Sequence, residues 1–224
     1  MGCLLKQGGG LYARLRIGAV LLAAGEGARM GYVAKPLIRL QGVPLINRQL
    51  IALSGAGVDE VVVVTGHARE AIEAQVQRFP VTLAYNANYA QGQQSSVRMG
   101  LAALSSNFDA VLIVLADQPL IGTDDLTELI AAFKKRPKGN VVVPVVNGQR
   151  GNPIVLDDVA RASILASDTN LGCRNLIERQ PELVYVHESH NTHFITDLDT
   201  PEDVAQLAQR TGWRLELPTQ ELAA

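Results

Sequence analysis

The sequence predicts one α/β domain built on a mostly parallel sheet flanked by helices, and three observations carry that expectation. Apolar, β-branched runs at 17–23, 61–64 and 110–116 have the length of buried strands and alternate with helix-period patterns. At 224 residues the chain suffices for one sizeable core and is short for two. With 47% hydrophobic but only 4% aromatic residues, that core must be made of Val, Leu, Ile and Ala, the residues of a sheet covered on both faces.

Composition also narrows the partners. The 20 basic and 22 acidic residues leave a charge of -2 with no long run of either sign, so neither duplex nucleic acid nor an anionic membrane is expected. No apolar stretch reaches the roughly 18–20 residues of a membrane span. Residues 1–16 lack the hydrophobic core and cleavage site of a secretion signal, and Lys6 departs from the myristoylation pattern. A cytoplasmic protein acting on small molecules is expected. Cys3 and Cys173 stand in unlike contexts and suggest neither a disulfide nor a zinc cluster; Cys173 reads as a structural thiol. Residues 1–16, with Gly8-Gly9-Gly10 and no apolar period, read as a disordered leader, 17–209 as the domain and 210–224 as a tail.

After the first strand comes the loop Leu22-Ala23-Ala24-Gly25-Glu26-Gly27-Ala28-Arg29-Met30-Gly31, with Lys35 close behind. Glycines let a backbone bend and present N–H groups to an anion, while two cations offset the charge of a polyphosphate and of a transition state at phosphorus. Neither of the commonest nucleotide loops fits: Tyr32 follows Gly31 where a Walker loop needs Lys, and Met30 takes the third-glycine position of the dinucleotide fingerprint. Pro44 is expected in the first turn of a helix ending near 54, where Gly55 and Gly57 stop it. The strand 61–64 ends at Thr65-Gly66-His67, where the histidine reads as a cap or surface group. A helix over 70–77 and a strand over 81–85 then open onto Asn86-Ala87-Asn88-Tyr89-Ala90-Gln91-Gly92-Gln93-Gln94-Ser95-Ser96. Such amides and hydroxyls read a base edge or hold a ribose, and Ser95 or Ser96 also suits the N-cap of a helix over 97–104.

The strand 110–116 ends in Asp117-Gln118-Pro119. A carboxylate at the C-terminal end of a central parallel strand lies where open α/β sheets bind ligands, and it suits a hard cation such as Mg²⁺. Thr123 is expected to cap a helix over 125–135. A strand over 140–145 and the Asn147-Gly148 turn lead back through 150–156, an antiparallel excursion over the sheet's rim of the kind that builds a second substrate's site. Short helices over 159–165 and 175–179 and an edge strand over 183–187 follow. His187, Glu188, His190 and His193 match no zinc-ligand spacing. Thr200, Pro201 and Asp203 form a helix start, which leaves Asp197 and Asp199, expected at a strand's end, as candidates for a second carboxylate on the Asp117 ion.

In this order, over about 17–207, the motifs resemble the nucleotidyltransferases of molybdenum-cofactor biosynthesis. Leu22-Ala23-Ala24-Gly25 with Arg29-Met30-Gly31 and Lys35 is similar to that family's signature loop. The Ala23-Ala24 pair, Leu115-Ala116-Asp117-Gln118-Pro119 and Arg150-Gly151-Asn152-Pro153 resemble its molybdopterin cytidylyltransferase subgroup, although Asn152 stands where that subgroup more often has His. The resemblance implies a Rossmann-like fold of the nucleotide-diphospho-sugar transferase type. It implies Mg²⁺-dependent transfer of CMP from CTP to a phosphorylated acceptor, molybdopterin or molybdenum cofactor, with release of pyrophosphate and transient contact with a molybdoenzyme. Catalysis would fall to Arg29, Lys35 and Asp117, and metal to Asp117 with Asp199 or Asp197. Nucleotide binding would fall to Leu22, Ala23, Ala24, Gly25, Gly27, Arg29, Lys35, Gly66, Asn86, Gly92, Ser95 and Ser96, and acceptor contact to Gln118, Arg150, Gly151 and Asn152. Three alternatives stay open: a sugar- or polyol-phosphate acceptor, a cofactor-carrying chaperone, and an NAD(P)H-dependent oxidoreductase, against which the lack of an acidic residue at the end of the strand 61–65 counts.

Overall fold

Strand β1 (Ile17–Ala23) is buried along its whole length and has a parallel neighbour on each side, β4 (Glu60–Thr65) and β6 (Ala110–Leu115). This arrangement belongs to a computed structural model that describes residues 14–105, 108–167 and 172–218. Most of the expected leader (1–13, with Cys3), residues 168–171 of the loop between the two short helices, and 219–224 of the tail lie outside the described residues. Arg14 pairs with Asp59 at 2.6 Å, and the Arg16 N–H donates to Asp109 at 2.7 Å.

The main sheet runs β10 (Val184–Glu188), β7 (Val141–Val146), β9 (Ile154–Leu156), β6, β1, β4, β5 (Thr82–Tyr85), with β8 (Gln149–Arg150) paired to β7. All pairs are parallel except those made by β8 and β9. The hairpin strands run antiparallel to β7, as the expected excursion over 145–156 requires, but the return does not stay over the rim: β9 inserts between β6 and β7. All three β9 residues are buried, and a fully apolar triplet gains a backbone partner on each side only inside the sheet.

Alternation along the strands feeds two helical layers. Ile17, Ala19, Leu21 and Ala23 face the layer of α1 (Leu45–Gly55), α2 (Arg69–Val76) and α4 (Thr123–Lys135). Val20, Leu22 and Ala24 face α3 (Gln93–Ala103), α5 (Asp158–Ala166) and α6 (Cys173–Arg179). A third, smaller core lies beneath the short antiparallel sheet of β2 (Arg39–Leu40), β3 (Val43–Pro44) and β11 (Leu215–Glu216), where Met30, Ile38, Leu40, Leu45 and Leu198 meet Leu207 of α7 (Pro201–Thr211).

Several helix starts differ from expectation. Pro44 stands immediately before α1 and pairs within β3. Gly92, not a serine, precedes α3. Thr123 is already helical, and the start of α4 is held by the Asp125 carboxylate, which accepts the Gly122 N–H at 2.7 Å. The segment carrying Asp197 and Asp199 is not the end of a strand. It is an irregular stretch after a 3₁₀ turn at Thr192–Ile195, pinned where the Leu198 N–H donates to the Asp117 carbonyl at 3.0 Å.

Candidate functional site

β1 and β6 are paired in register, Leu22 beside Leu115, so the loop after β1 and the loop after β6 leave the same edge of the sheet at one level. From β1 the chain moves to β4 and β5 on one side and returns to β6 on the other, which opens a crevice between the two loops. The glycine-rich loop closes as a 3₁₀ turn at Ala28–Met30. Gly27 has φ 64, and a Cβ on it would lie 2.2 Å from the Val33 carbonyl oxygen, so only glycine makes this bend. Met30 anchors the turn in the small core while the neighbouring Arg29 points out into the crevice.

Lys35 sits at the centre of the charged groups. Its Nζ donates to Asp117 Oδ2 at 2.9 Å and to Asp199 Oδ1 at 2.6 Å, and Arg29 reaches the other Asp199 oxygen at 2.8 Å. Burial pulls the Lys35 pKa down, but the charges and hydrogen bonds of Asp117 and Asp199 outweigh it, so the ammonium is held above its ordinary value. Asp199 is the mirror case: burial pushes its carboxyl up, and Lys35 and then Arg29 bring it below the usual range. Its backbone is fixed by Asp203, whose Oδ2 accepts the N–H groups of Asp199 (3.0 Å) and Thr200 (2.7 Å) in a capping box at the start of α7.

Two adjoining cavities share this centre. The first, about 440 Å³, is lined by the 22–29 segment, Lys35, the 89–93 segment, Ser96 and Asp117. The second, about 640 Å³, lies toward β8 and α6 and is lined by Arg150, Gly151, Asn152, Gln94, Arg174 and Asp197 among others. Arg29, Gln93, Leu115, Asp117 and Asp199 line both.

Most of the expected site residues therefore come together. Leu22, Ala23, Ala24, Gly25, Gly27, Arg29, Lys35, Gly92, Ser96, Asp117 and Asp199 face the first cavity, and Arg150, Gly151, Asn152 and Asp197 the second. Gly66, Asn86, Ser95 and Gln118 line neither. Gly66 supports the signature loop from behind, where a Cβ would come within 2.6 Å of the Ala24 carbonyl oxygen. Asn86 is buried and donates to the Ser95 and Ser96 hydroxyls at 2.8 and 2.9 Å. Gln118 is fully buried and donates to the Phe194 carbonyl at 3.2 Å, so it braces the segment leading to Asp197 and does not face an acceptor. His187 lies 2.7 Å from Glu128 and His193 3.1 Å from Asp125, both between α4 and the 187–193 segment.

Sequence reasoning missed Arg174 and Glu178, which line the second cavity, and took in Gln93 and Gln94 only as part of the amide-rich stretch assigned to the nucleotide. Arg174 and Glu178 form an i,i+4 pair at 3.8 Å and carry no signal beyond that of an ordinary helix surface. Cys173 also lines this cavity, and burial pushes its thiol up to about 12, the behaviour of an inert structural cysteine.

The donor set suits a hard divalent cation. Asp117, Asp197 and Asp199 offer only carboxylate oxygen, and the buried Asp197 Oδ1 has no hydrogen-bond partner among the described residues. Burial, and then the charges of Asp117 and Asp199, push Asp197 up to about 6 against the opposing Gln118 and Lys35. Among the described residues no three His, Cys, Asp or Glu side chains already converge on one point, so an ion held by these carboxylates would need further oxygen ligands from phosphate and water.

Fold and site together define a nucleotidyltransferase-type α/β protein with two cavities meeting at one charged centre. Residues 19–184 match the MobA-like NTP transferase domain, and the chain belongs to that family. It is similar to the nicotine blue oxidoreductase of Paenarthrobacter nicotinovorans, with 26% identity over 193 residues covering 84% of this chain and 94% of that protein. It shares its fold with Rv0371c of Mycobacterium tuberculosis H37Rv in complex with manganese, with a TM-score of 0.66, 18% identity, and coverage of 87% of this chain and 98% of that one. A CMP:2-keto-3-deoxy-manno-octonic acid synthetase complexed with CTP has the same fold, with a TM-score of 0.67, 17% identity, and coverage of 88% and 98%. No helix among the described residues is long and apolar enough to cross a membrane.

Proposed function

We propose that this protein is a cytoplasmic, Mg²⁺-dependent nucleotidyltransferase that moves CMP from CTP to the phosphate of a small acceptor, molybdopterin or the molybdenum cofactor, and releases pyrophosphate. Handing the product to a molybdoenzyme by transient contact follows from that reading. The observation that carries it is the shared wall: Asp117 and Asp199, which line both cavities, hold Lys35 between them on the side of the first. The cytosine assignment rests on the Ala23-Ala24 pair, and the acceptor assignment on the resemblance of the Arg150-Gly151-Asn152-Pro153 segment.

Backbone N–H groups of residues 25–29 and the Arg29 guanidinium hold the β- and γ-phosphates, those of Met30 and Gly31 being engaged by the Gly27 and Ala28 carbonyls inside the turn, and Lys35 faces the α-phosphoryl oxygens, where charge grows in the transition state. An acceptor phosphate oxygen attacks the α-phosphorus, a new P–O bond forms, and the bond to the bridging oxygen breaks, its electron pair leaving with pyrophosphate. A phosphate is already ionised at neutral pH, so no protein base is required, and the protein acts by positioning and electrostatics. Asp117 with Asp199 or Asp197 would hold a divalent ion, which would supply charge neutralisation to the nucleotide and acceptor oxygens. Phosphate oxygens compete for the cations that Asp199 now holds, and Arg150, Gly151 and Asn152 receive the acceptor in the second cavity. Gly66, Asn86, Ser95 and Gln118 act from behind these walls.

The test is pyrophosphate release with CTP, GTP, UTP and ATP against molybdopterin and a set of sugar- and polyol-phosphates, with the product identified by mass. Release that requires CTP, Mg²⁺ and molybdopterin supports the proposal. Release with a sugar-phosphate alone replaces the acceptor, and binding without release points to a carrier. Similarity to a protein named an oxidoreductase favours a second reading, hydride transfer on this scaffold. Oxidation of NADH or NADPH with nicotine blue, without pyrophosphate release, would establish it instead.

A further inference from the structure

Three loops meet at the edge of the nucleotide cavity, and each contributes one ring. Tyr32 follows the glycine-rich turn, His67 follows β4, and Tyr89 opens the 3₁₀ turn at Tyr89–Gln91 and lines the cavity. The His67 ring centroid lies 6.1 Å from that of Tyr32 at 46° and 6.1 Å from that of Tyr89 at 66°, the tilted and edge-on arrangements in which rings attract. His67 is fixed in turn to the signature loop, because its N–H donates to the Ala24 carbonyl at 3.3 Å.

Tyr32 is the informative member. Its φ of 65 lies in the left-handed region, which a bulky side chain rarely enters. Its side chain is 59% exposed, so burial does not account for a ring held in that conformation. Its N–H donates to the Gly27 carbonyl at 3.0 Å, which makes the residue the far end of the phosphate turn, and its ring reaches across to His67.

We propose that Tyr32, His67 and Tyr89 form an aromatic clasp that holds the phosphate loop against the loop lining the other side of the cavity and so sets nucleotide affinity. Tyr89 touches the nucleotide, and Tyr32 and His67 are positioning residues. The proposal rests on the nucleotide reading of the first cavity. A loop tied at both ends loses less freedom when a ligand settles on it, so the clasp acts on binding and leaves the chemical step alone.

Calorimetric titration of CTP with Mg²⁺ into wild type, Tyr32→Phe, Tyr32→Ala, Tyr89→Ala and the double alanine variant tests it, with kcat measured at saturating CTP. Tyr32→Phe should bind like wild type, because the ring and not the hydroxyl makes the contact. Tyr32→Ala should bind about 3- to 10-fold more weakly with kcat within about twofold of wild type. The double variant should lose less than the two single losses combined, because both rings act through His67. Wild-type affinity in Tyr32→Ala, equal weakening in Tyr32→Phe, or strict additivity overturns the clasp alone. A wild-type protein that binds no triphosphate overturns the reading of the cavity and the clasp with it.

Discussion

Lys35 Nζ lies 2.6 Å from Asp199 Oδ1, a contact that joins residues 164 positions apart in the chain, and the same nitrogen lies 2.9 Å from Asp117. The lysine is only 15% exposed, so its charge is worth far more than that of a surface lysine. Two carboxylates and Arg29 are thereby balanced at the wall common to both cavities, and each charged group already stands where phosphate or a metal ion would meet it.

If Lys35 neutralises charge that develops only in the transition state, its loss falls on turnover and not on affinity. Lys35→Met should lower kcat about 100-fold or more while weakening CTP binding less than about 10-fold. Steady-state kinetics paired with calorimetry reads both quantities, and the opposite split would make the lysine a ground-state binding group.

The Asp117 backbone carbonyl holds the irregular carboxylate segment through the Leu198 N–H, while its side chain turns to the crevice and pairs with Lys35 at 2.9 Å. Asp117→Ala should leave the circular dichroism spectrum unchanged and shift the melting temperature by only a few degrees, because Lys35 keeps Asp199 as a partner. Turnover should fall about 1,000-fold or more. Full activity in this variant would remove the metal assignment.

Asp197 gives a pH test of the same cluster. Its folded pKa of about 6 stands above the ordinary 3.8, so between those values the folded state holds a proton that the unfolded chain has lost. Its contribution to stability is therefore intact below the lower value and declines as pH rises through the upper one. Without divalent ions, Asp197→Asn should match wild type near about pH 4 and exceed it near about pH 7.5 by up to about 3 kcal/mol. Denaturant unfolding at both values measures the difference, and an equal effect at both would contradict the burial and repulsion assigned to this carboxylate.

Leu198 stands between Asp197 and Asp199 and is fully buried with Met30, Ile38 and Leu207. One small core thus holds both the glycine-rich turn and the segment carrying the carboxylates. Leu198→Ala should cost about 2–5 kcal/mol of stability. It should also lower kcat/KM at temperatures where the protein is fully folded, because Asp199 loses its support. A destabilised variant with wild-type kinetics would show that the core carries the fold but not the site.

Much of this was legible locally. The strands β1, β4 and β6 announce themselves as apolar runs, Asn147-Gly148 turns with φ 51 and 78 as a hairpin pair requires, and Thr200, Pro201 and Asp203 form the expected helix start, which the structure closes as a capping box. The glycine-rich loop, Lys35 and Asp117 stood out as residue types that suit a phosphate, and the in-register pairing of β1 and β6 brings them to one cavity. What stayed hidden depends on direction or on distant partners. Nothing within Ile154-Val155-Leu156 says that β9 lies between β6 and β7, and two-residue strands such as Leu215–Glu216 exist only through their neighbours. Asn86 and Gln118 have the right chemistry but point into the protein. Asp199 is distinguished from Asp197 by where the Lys35 side chain reaches, a contact that lies across the crevice.

The most direct test is calorimetric titration of CTP into the wild-type protein with and without Mg²⁺, repeated with GTP, UTP and ATP. The expected result is one site per chain that binds CTP most tightly and depends on the metal ion. Absence of metal-dependent binding by all four triphosphates would contradict the convergence of Arg29, Lys35 and Asp117 on a nucleotide.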